Sequence, residues 1–199
     1  MKRIFDAALA SIGLALSAPV SLMCASLIKL EDGGPVFYTQ ERVGLGGRTF
    51  RALKFRSMRP DAEAGTGPLQ ARDGDARVTR IGRIMRATAM DELPQLWNIL
   101  RGDMSFVGPR ALRPGEIERE GDRLVALEAV PGYGRRIGVR PGLTGIAQVY
   151  APRDISRRDK FKYDALYVRQ QSFWLDIRLI LLSFWISFRG TWESRGRKY

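Results

Sequence analysis

Between Asp6 and Lys29 the chain carries no charge for 22 residues, Ala7 to Ile28. As a helix, a run of this length reaches across the hydrocarbon core of a bilayer. Near its middle stands Pro19, whose missing N–H and bulky ring cost about 3 kcal/mol inside a helix. Lys2 and Arg3 before the run and Lys29 after it make both flanks basic, so the positive-inside rule selects no orientation. Four readings follow. A cleaved signal peptide conflicts with the length of the apolar run and with Met23, which stands before Cys24 where a small residue is wanted. A straight span has to carry Pro19 in its interior. A buried core helix kinked at the proline is the soluble alternative. A re-entrant helix broken at Pro19, with both ends on one side, suits the two basic flanks. In that case Ser17 or Ser21 would satisfy the backbone groups freed at the break.

The 199 residues allow one domain of ordinary size. Its charge is lopsided: 33 Lys and Arg against 21 Asp and Glu give +12, and 27 of the 33 are Arg. The planar guanidinium fork matches phosphate and carboxylate, so nucleic acid, an anionic membrane surface and a phosphorylated small molecule are the candidate partners. There is no His and one cysteine, Cys24. Ser-His-Asp triads, imidazole bases, His-ligated zinc and disulfides within the chain are thereby excluded. Acid, base, nucleophile and metal ligand fall to carboxylates, hydroxyls, Lys and Arg.

Residues 35–58 change to short aromatic and β-branched runs around Gly44-Leu45-Gly46-Gly47. They predict a β-hairpin, with Ala52, Lys54 and Arg56 on one face of its second strand and Leu53 and Phe55 on the other. The Gly cluster lacks the spacing of a P-loop and reads as a turn. Residues 60–77, with Leu69 as the one large apolar side chain, read as a loop. A helix follows, with Ile81, Ile84, Met85 and Thr88 on one side and Arg83 and Arg86 on the other. Asp91-Glu92-Leu93-Pro94 opens another, with Asp91 at the N-cap and Leu93, Leu96, Trp97 and Leu100 as its apolar stripe. The plain reading makes Asp91 a cap. The chemical one notes that a helix start attracts anions and that Arg86 and Arg110 flank the acidic pair in sequence. Two adjacent carboxylates framed by arginine can hold a divalent cation together with a diphosphate.

Farther along, residues 114–129 predict an exposed helix, and Pro131-Gly132-Tyr133-Gly134 a turn. A second Gly-Pro cluster, Arg140-Pro141-Gly142-Leu143-Thr144-Gly145, is richer than a surface loop needs. Ser156 and Asp159 form a capping box for a helix whose first turns carry Arg157, Arg158, Lys160 and Lys162. Those cations oppose the helix dipole and suit lipid headgroups. Residues 173–188 are apolar on two faces, with Asp176, Ser183 and Ser187 as a thin polar line between them. Too short and too charged for a favoured span, this helix reads as sandwiched between the body and the membrane interface, where Trp174, Trp185 and Trp192 fit. A core helix of a soluble protein is the alternative.

Several blocks together closely resemble the bacterial sugar transferases, which are monotopic phosphoglycosyl transferases. They are Pro35-Val-Phe-Tyr-Thr-Gln40-Glu-Arg-Val-Gly44, Lys54-Phe-Arg-Ser-Met58, Asp91-Glu-Leu-Pro-Gln-Leu96, Gly102-Asp-Met-Ser-Phe-Val-Gly-Pro-Arg110 and Arg140-Pro-Gly-Leu-Thr-Gly-Ile-Ala-Gln148. The resemblance covers almost the whole chain in order. It implies an α+β, predominantly helical fold: a re-entrant membrane helix over residues 1–30 broken at Pro19, then a membrane-associated catalytic domain over 31–199 with a short β-hairpin and interfacial amphipathic helices. It implies transfer of sugar-1-phosphate from a UDP-sugar to undecaprenyl phosphate, giving undecaprenyl-diphosphosugar and UMP. By it, Asp91 is the nucleophile of a covalent phosphosugar-aspartyl intermediate, Asp91 and Glu92 hold Mg²⁺, and Lys54, Arg86, Arg110 and Arg153 bind phosphate. The family's helix breaks at Ser-Pro; here the pair is Ala18-Pro19, which assigns the freed carbonyl to Ser17. Relatives often carry Asn-Gly-Arg where this chain has Ala151-Pro152-Arg153, and larger relatives carry further membrane helices ahead of this core. The implied location is the bacterial inner membrane, monotopic on an anionic bilayer with the catalytic domain facing the cytoplasm; a homodimer is compatible with it. The sugar is left unspecified, with specificity expected in residues 60–77 and 111–139. A membrane-tethered basic nucleic-acid-binding module is the other class. The scatter of its cations over loops and several helices, with no DNA- or RNA-binding motif, argues against it.

Overall fold

A computed structural model describes residues 1–60, 62, 75–120, 123–152 and 155–192. In chain order the elements are α1 (Lys2–Asp32), β1 (Phe37–Val43), β2 (Thr49–Phe55), α2 (Arg80–Ala87), α3 (Gln95–Arg101), β3 (Ser105–Val107), β4 (Ile117–Glu120), β5 (Arg123–Ala126), α4 (Tyr133–Ile137), β6 (Gly142–Thr144), α5 (Ile146–Tyr150), α6 (Arg157–Gln170) and α7 (Phe173–Phe188). The fold is α+β and predominantly helical. Among the described residues the strands form three separate pairs: antiparallel β1–β2, parallel β3–β6 and antiparallel β4–β5.

The helix α1 continues from Lys2 to Asp32 through Pro19 without interruption, so the expected break into two helices is not seen. Proline removes the N–H that would have reached the Ala15 carbonyl. Ser17, expected to compensate there, instead donates to Leu14 O across a long 3.5 Å. Gly33, at φ 70°, ends the helix in the left-handed conformation, its N–H on Lys29 O. Near its start, Ala10 enters a core with Leu96, Ile99, Val107, Tyr167 and Leu179. Near its end, Cys24 and Ile28 enter a second core with Phe55 and Met85. Between and around these contacts Ile12, Leu16, Leu22 and Met23 are exposed.

Polar ties fix both ends of α1 to the same body. At the start, Lys2 Nζ meets Asp176 Oδ2 at 2.5 Å, and the Arg3 guanidinium donates to Ile99 O and Leu100 O, carbonyls at the end of α3. At the far end Asp32 pairs with Arg56 through both carboxylate oxygens. Glu31 accepts from Arg80 N at 2.7 Å and Ile81 N at 3.3 Å, taking up unpaired amides of α2.

The β1–β2 hairpin forms as the alternation predicts, with Tyr38 opposite Lys54 and Thr39 opposite Leu53. The expected exposed helix over 114–129 is replaced by the β4–β5 hairpin, Ile117 opposite Ala126 and Glu120 opposite Arg123. Tertiary contacts override the helix-forming Glu and Arg residues here. Glu118 accepts from the Arg157 amide at the start of α6 at 2.6 Å, Glu116 pairs with Arg157, and Val125 packs on Leu112, Leu127, Val130 and Phe161. In α2 the buried positions are Gly82 and Met85, and Ile84 is 60% exposed rather than inward. The reason is Gly82, which lies against the Ser57 backbone and rotates the buried side toward itself. Similarly α3 buries Leu96, Asn98 and Ile99, leaving Trp97 outside.

The Ser156 N-cap forms as predicted, Asp159 N donating to Ser156 Oγ at 3.0 Å, while the Asp159 carboxylate accepts from the Ser156 hydroxyl at 2.8 Å in place of the backbone N–H of a full capping box. The helix α7 occupies the expected residues and is two-sided: Leu179, Ile180 and Ile186 are buried, while Trp174, Leu181, Phe184 and Phe188 are exposed. Of the expected polar line, Asp176 and Ser183 turn inward, Ser183 onto Thr144 Oγ1 at 2.5 Å.

Candidate functional site

The acidic pair stands where four segments converge. Asp91 and Glu92 lie in a 3₁₀ turn, Met90–Glu92, and not at a helix N-cap; the α-helix starts later, at Gln95. Ahead of the turn Ala89 adopts φ 57° and ψ 18°, a left-handed conformation that in other described residues of this chain only glycines take. The turn packs under α1, with Val20 in the cluster that includes Met90 and Leu93. Strained backbone of this kind costs on the order of 1–2 kcal/mol. Ala89→Gly should therefore raise stability by up to about 1 kcal/mol, and the β-branched Ala89→Val lower it by more than about 1 kcal/mol, in thermal unfolding.

Lys54 comes from β2 and pairs with Glu92. Arg110, from the turn after β3, reaches the same oxygen, Glu92 Oε1, at 3.2 Å. Glu92 is thus fixed by two cations. Asp91 is buried as well, but no hydrogen bond to its carboxylate occurs among the described residues. The two acids consequently titrate apart. Burial pushes the Asp91 carboxyl up to about 6; Lys54 opposes this, the charge of Glu92 adds to it, and Arg86 and Arg110 oppose it. Burial acts in the same sense on Glu92, but Lys54 and Arg110 overcome it and hold that carboxyl at about 2. Arg86 sits in the last turn of α2 and acts on Asp91 through its charge. Arg153, the remaining expected phosphate ligand, lies outside the described residues.

The Arg110 turn is built by backbone approach. Gly108 N donates to Thr144 O, Ser105 N to Pro141 O and Gly142 N to Pro109 O, each at 2.9 Å. A Cβ on Gly108 would run into Arg140 O, one on Gly142 into Gly108 N, and one on Gly145 into Gly108 O. The second Gly-Pro cluster is therefore the partner surface of the Val107-Gly108-Pro109-Arg110 turn. Several residues that the sequence did not single out steady it. Arg136, buried against Asp164 at 3.1 Å and lying over the Phe161 ring at 4.6 Å, donates to Arg110 O at 2.5 Å. Arg42 donates to Ala111 O at 3.0 Å. Asn98 joins α3 to β2, donating to Arg51 O and accepting from Leu53 N. Arg42 lies within the Pro35–Gly44 block, whereas Arg136 and Asn98 carry no local signal, because a polar residue in a short helix reads as solvated.

With one carboxylate that makes no hydrogen bond among the described residues, one held by Lys54 and Arg110, and the charge of Arg86 acting on Asp91, the site can receive a diphosphate and present an oxygen nucleophile to it. Among the described residues no group of three or more acidic or thiol side chains gathers to hold a metal by itself. The pair does fit Mg²⁺, which binds through one or two carboxylates and completes its shell with substrate phosphates and water. A cavity of about 680 Å³ lies elsewhere, at the end of α1, lined by Glu31, Asp32, Arg59, Thr79, Arg80 and Arg83 among others.

Residues 1–190 match the family described as bacterial sugar transferase. The chain is 43% identical over 185 residues to the UDP-glucose:undecaprenyl-phosphate glucose-1-phosphate transferase of Caulobacter vibrioides, covering 90% of this chain and 67% of the relative. It is 43% identical over 183 residues to the UDP-N-acetylgalactosamine-undecaprenyl-phosphate N-acetylgalactosaminephosphotransferase of Aeromonas hydrophila, covering 90% of this chain and 42% of the relative. It is 38% identical over 201 residues to the galactosyl transferase CpsE of Streptococcus agalactiae, covering 96% and 42%. The chain thus spans less than half the length of two of these three proteins.

Proposed function

The chain belongs to the bacterial sugar transferase family, and from that premise we propose that it transfers a sugar-1-phosphate from a UDP-sugar to undecaprenyl phosphate, releasing UMP. The names of the Caulobacter and Aeromonas relatives support this donor and acceptor class, and the three relatives differ in the sugar. One observation carries the assignment of roles: of two adjacent buried acids, Glu92 is held by Lys54 and Arg110, while the Asp91 carboxylate makes no hydrogen bond among the described residues. Asp91 is the nucleophile. Its oxygen attacks the β-phosphorus, the bond from that phosphorus to the bridging oxygen breaks, and UMP leaves with the electron pair. A phosphate oxygen of undecaprenyl phosphate then attacks the same phosphorus and expels the Asp91 carboxylate, giving undecaprenyl-diphosphosugar. Lys54, Arg86 and Arg110 orient the diphosphate and offset the charge that gathers in transfer. Mg²⁺, held by Asp91 and Glu92, would supply further charge compensation on the leaving group.

The two tied ends of α1 argue against a straight span; the re-entrant placement itself is proposed from Pro19 and the basic flanks, although the helix is continuous through Pro19. A straight helix of 31 residues is about 46 Å long, so a span would carry its ends to opposite faces of the membrane, yet Lys2 and Asp32 both bond to one body. With Lys2, Arg3 and Lys29 at its flanks, that body faces the cytoplasm on the inner membrane, and the exposed face of α7 rests in the interface. The family assignment gives the nucleic-acid alternative no support.

The test is intact-protein mass spectrometry with a UDP-sugar and Mg²⁺ but no lipid acceptor. The expected result is about one equivalent of UMP and a phosphosugar adduct on Asp91, discharged by undecaprenyl phosphate. UMP release that requires the acceptor, with no adduct at any time, would reject the covalent scheme. A panel of UDP-sugars in the same assay identifies the sugar.

A further inference from the structure

Three buried polar groups remote from the acidic pair converge on β3. The hydroxyl of Tyr167, a residue 1% exposed in α6, lies 2.9 Å from the Val107 carbonyl and 2.9 Å from Asp176 Oδ1, and Gln171 Nε2 donates to it at 3.3 Å. The other oxygen of Asp176 takes Lys2 Nζ at 2.5 Å. One residue earlier, Asp6 accepts from Phe106 N at 3.2 Å. Val107 ends β3 and is followed directly by Gly108, Pro109 and Arg110. The first two turns of α1 thus reach the last two residues of β3, Phe106 and Val107, Asp6 directly and Lys2 through Asp176 and Tyr167.

Apolar residues of similar size would fill this space without the desolvation penalty that buried Asp and Tyr bring, so the network points to a task other than filling. A tyrosine hydroxyl has one proton to donate, and here two acceptors compete for it. A bare carboxylate is the stronger acceptor. With the Lys2 ammonium on Asp176, the carboxylate is partly neutralised and the proton is available to the Val107 carbonyl. Without Lys2, Asp176 draws the hydroxyl to itself and the carbonyl ahead of the Arg110 turn loses its partner.

We propose that Lys2, Asp176 and Tyr167 are positioning residues: they couple the seating of the start of α1 in the body to the placement of Arg110 on Glu92. This rests on the reading of Arg110 as a phosphate-binding group. The experiment uses the full chain in lipid nanodiscs, with UMP release for activity and hydrogen exchange of the segment 105–112 as a readout that needs no substrate. Lys2→Ala is expected to lower kcat about tenfold, with KM for the UDP-sugar within about twofold of the wild-type value, and to speed exchange in that segment about tenfold. Lys2→Arg restores both. In an Arg110→Lys background Lys2→Ala costs less than about twofold, because nothing is left to position. Tyr167→Phe is expected to match Lys2→Ala; should it fail to fold, Lys2, at 31% side-chain exposure, carries the test alone. Unchanged kcat and exchange in Lys2→Ala, or equal losses in both backgrounds, overturn the proposal. If the wild-type protein releases no UMP from any UDP-sugar, the reaction assignment fails, while the exchange result still decides whether the relay holds the turn.

Discussion

Asp91→Asn should reduce turnover by roughly 10⁴-fold or more, the scale on which removal of a covalent nucleophile acts, and at the same time make the protein more stable. The second effect follows from the site. The Asp91 carboxyl is buried without a hydrogen-bonding partner among the described residues, and its folded pKa of about 6 lies above the ordinary carboxylate value of 3.8. A raised folded value means that the native state binds the proton more tightly than the unfolded chain does. Below about pH 4 both states are protonated and the wild-type protein is not penalised. As pH rises toward 6 the unfolded chain ionises first, and the wild type loses stability that the neutral amide keeps. Without divalent cation, the unfolding midpoint of Asp91→Asn should therefore equal that of the wild type near pH 4 and exceed it by a few degrees at pH 7. Glu92→Gln reverses the pattern: it gives up the ion pairs to Lys54 and Arg110, so it should be less stable than wild type at neutral pH. Thermal melts of the two variants across pH 4–8, beside their turnover, separate an acid kept ionised against its surroundings from one kept ionised by them. A stabilised Glu92→Gln, or an active Asp91→Asn, would mean that the roles are exchanged or misassigned.

Gly142→Ala should produce the largest structural loss of any single methyl group in the described chain. The added carbon would overlap Gly108 N and Thr144 O and stand 2.7 Å from Gly108 Cα. These obstacles are backbone, not the flexible end of a side chain, so relief requires β3 and β6 to separate at the point where Gly108 N bonds Thr144 O. A loss of about 3–4 kcal/mol, or roughly 10 °C in the unfolding midpoint, is expected. Arg110 would move with its turn, and a displacement near 1 Å is enough to cost about 10²-fold in kcat. Gly134→Ala is the control, since its added carbon meets nothing within 4 Å, and it should melt and turn over like the wild type.

What could be read from the sequence was local. Alternating residues gave the β1–β2 hairpin, a capping box gave the start of α6, and unbroken apolarity gave α7 with its limits. The same local logic failed at residues 117–126, where helix-forming Glu and Arg residues are drawn into a hairpin by contacts to α6 that no window along the chain contains. The acidic pair was visible, as were Lys54 and Arg110, because they stand in recognisable blocks. Their division of labour was not, because Lys54 meets Glu92 across 38 positions and Arg110 meets it across 18. Placing Asp91 at a helix N-cap made its surroundings helix amides; its surroundings are side-chain cations on β2, α2 and the β3 turn. The Gly-Pro cluster at 140–145 announced itself as unusual, but its purpose lies in Gly108, more than thirty residues earlier.

The way α1 enters two of the hydrophobic cores limits what evolution and engineering can do with it. Membrane anchors are commonly interchangeable, since a bilayer asks only for length and apolarity. The helix α1, proposed above as the membrane-embedded segment, also supplies Ala10 to one core and Cys24 and Ile28 to a second, and Asp6 and Asp32 to fixed partners. A transplanted helix of equal hydropathy would satisfy the lipid and leave the body with two open seams, and deletion of the first thirty residues would yield an aggregating fragment in place of a soluble enzyme. Helix α1 and the body it packs into are one folding unit.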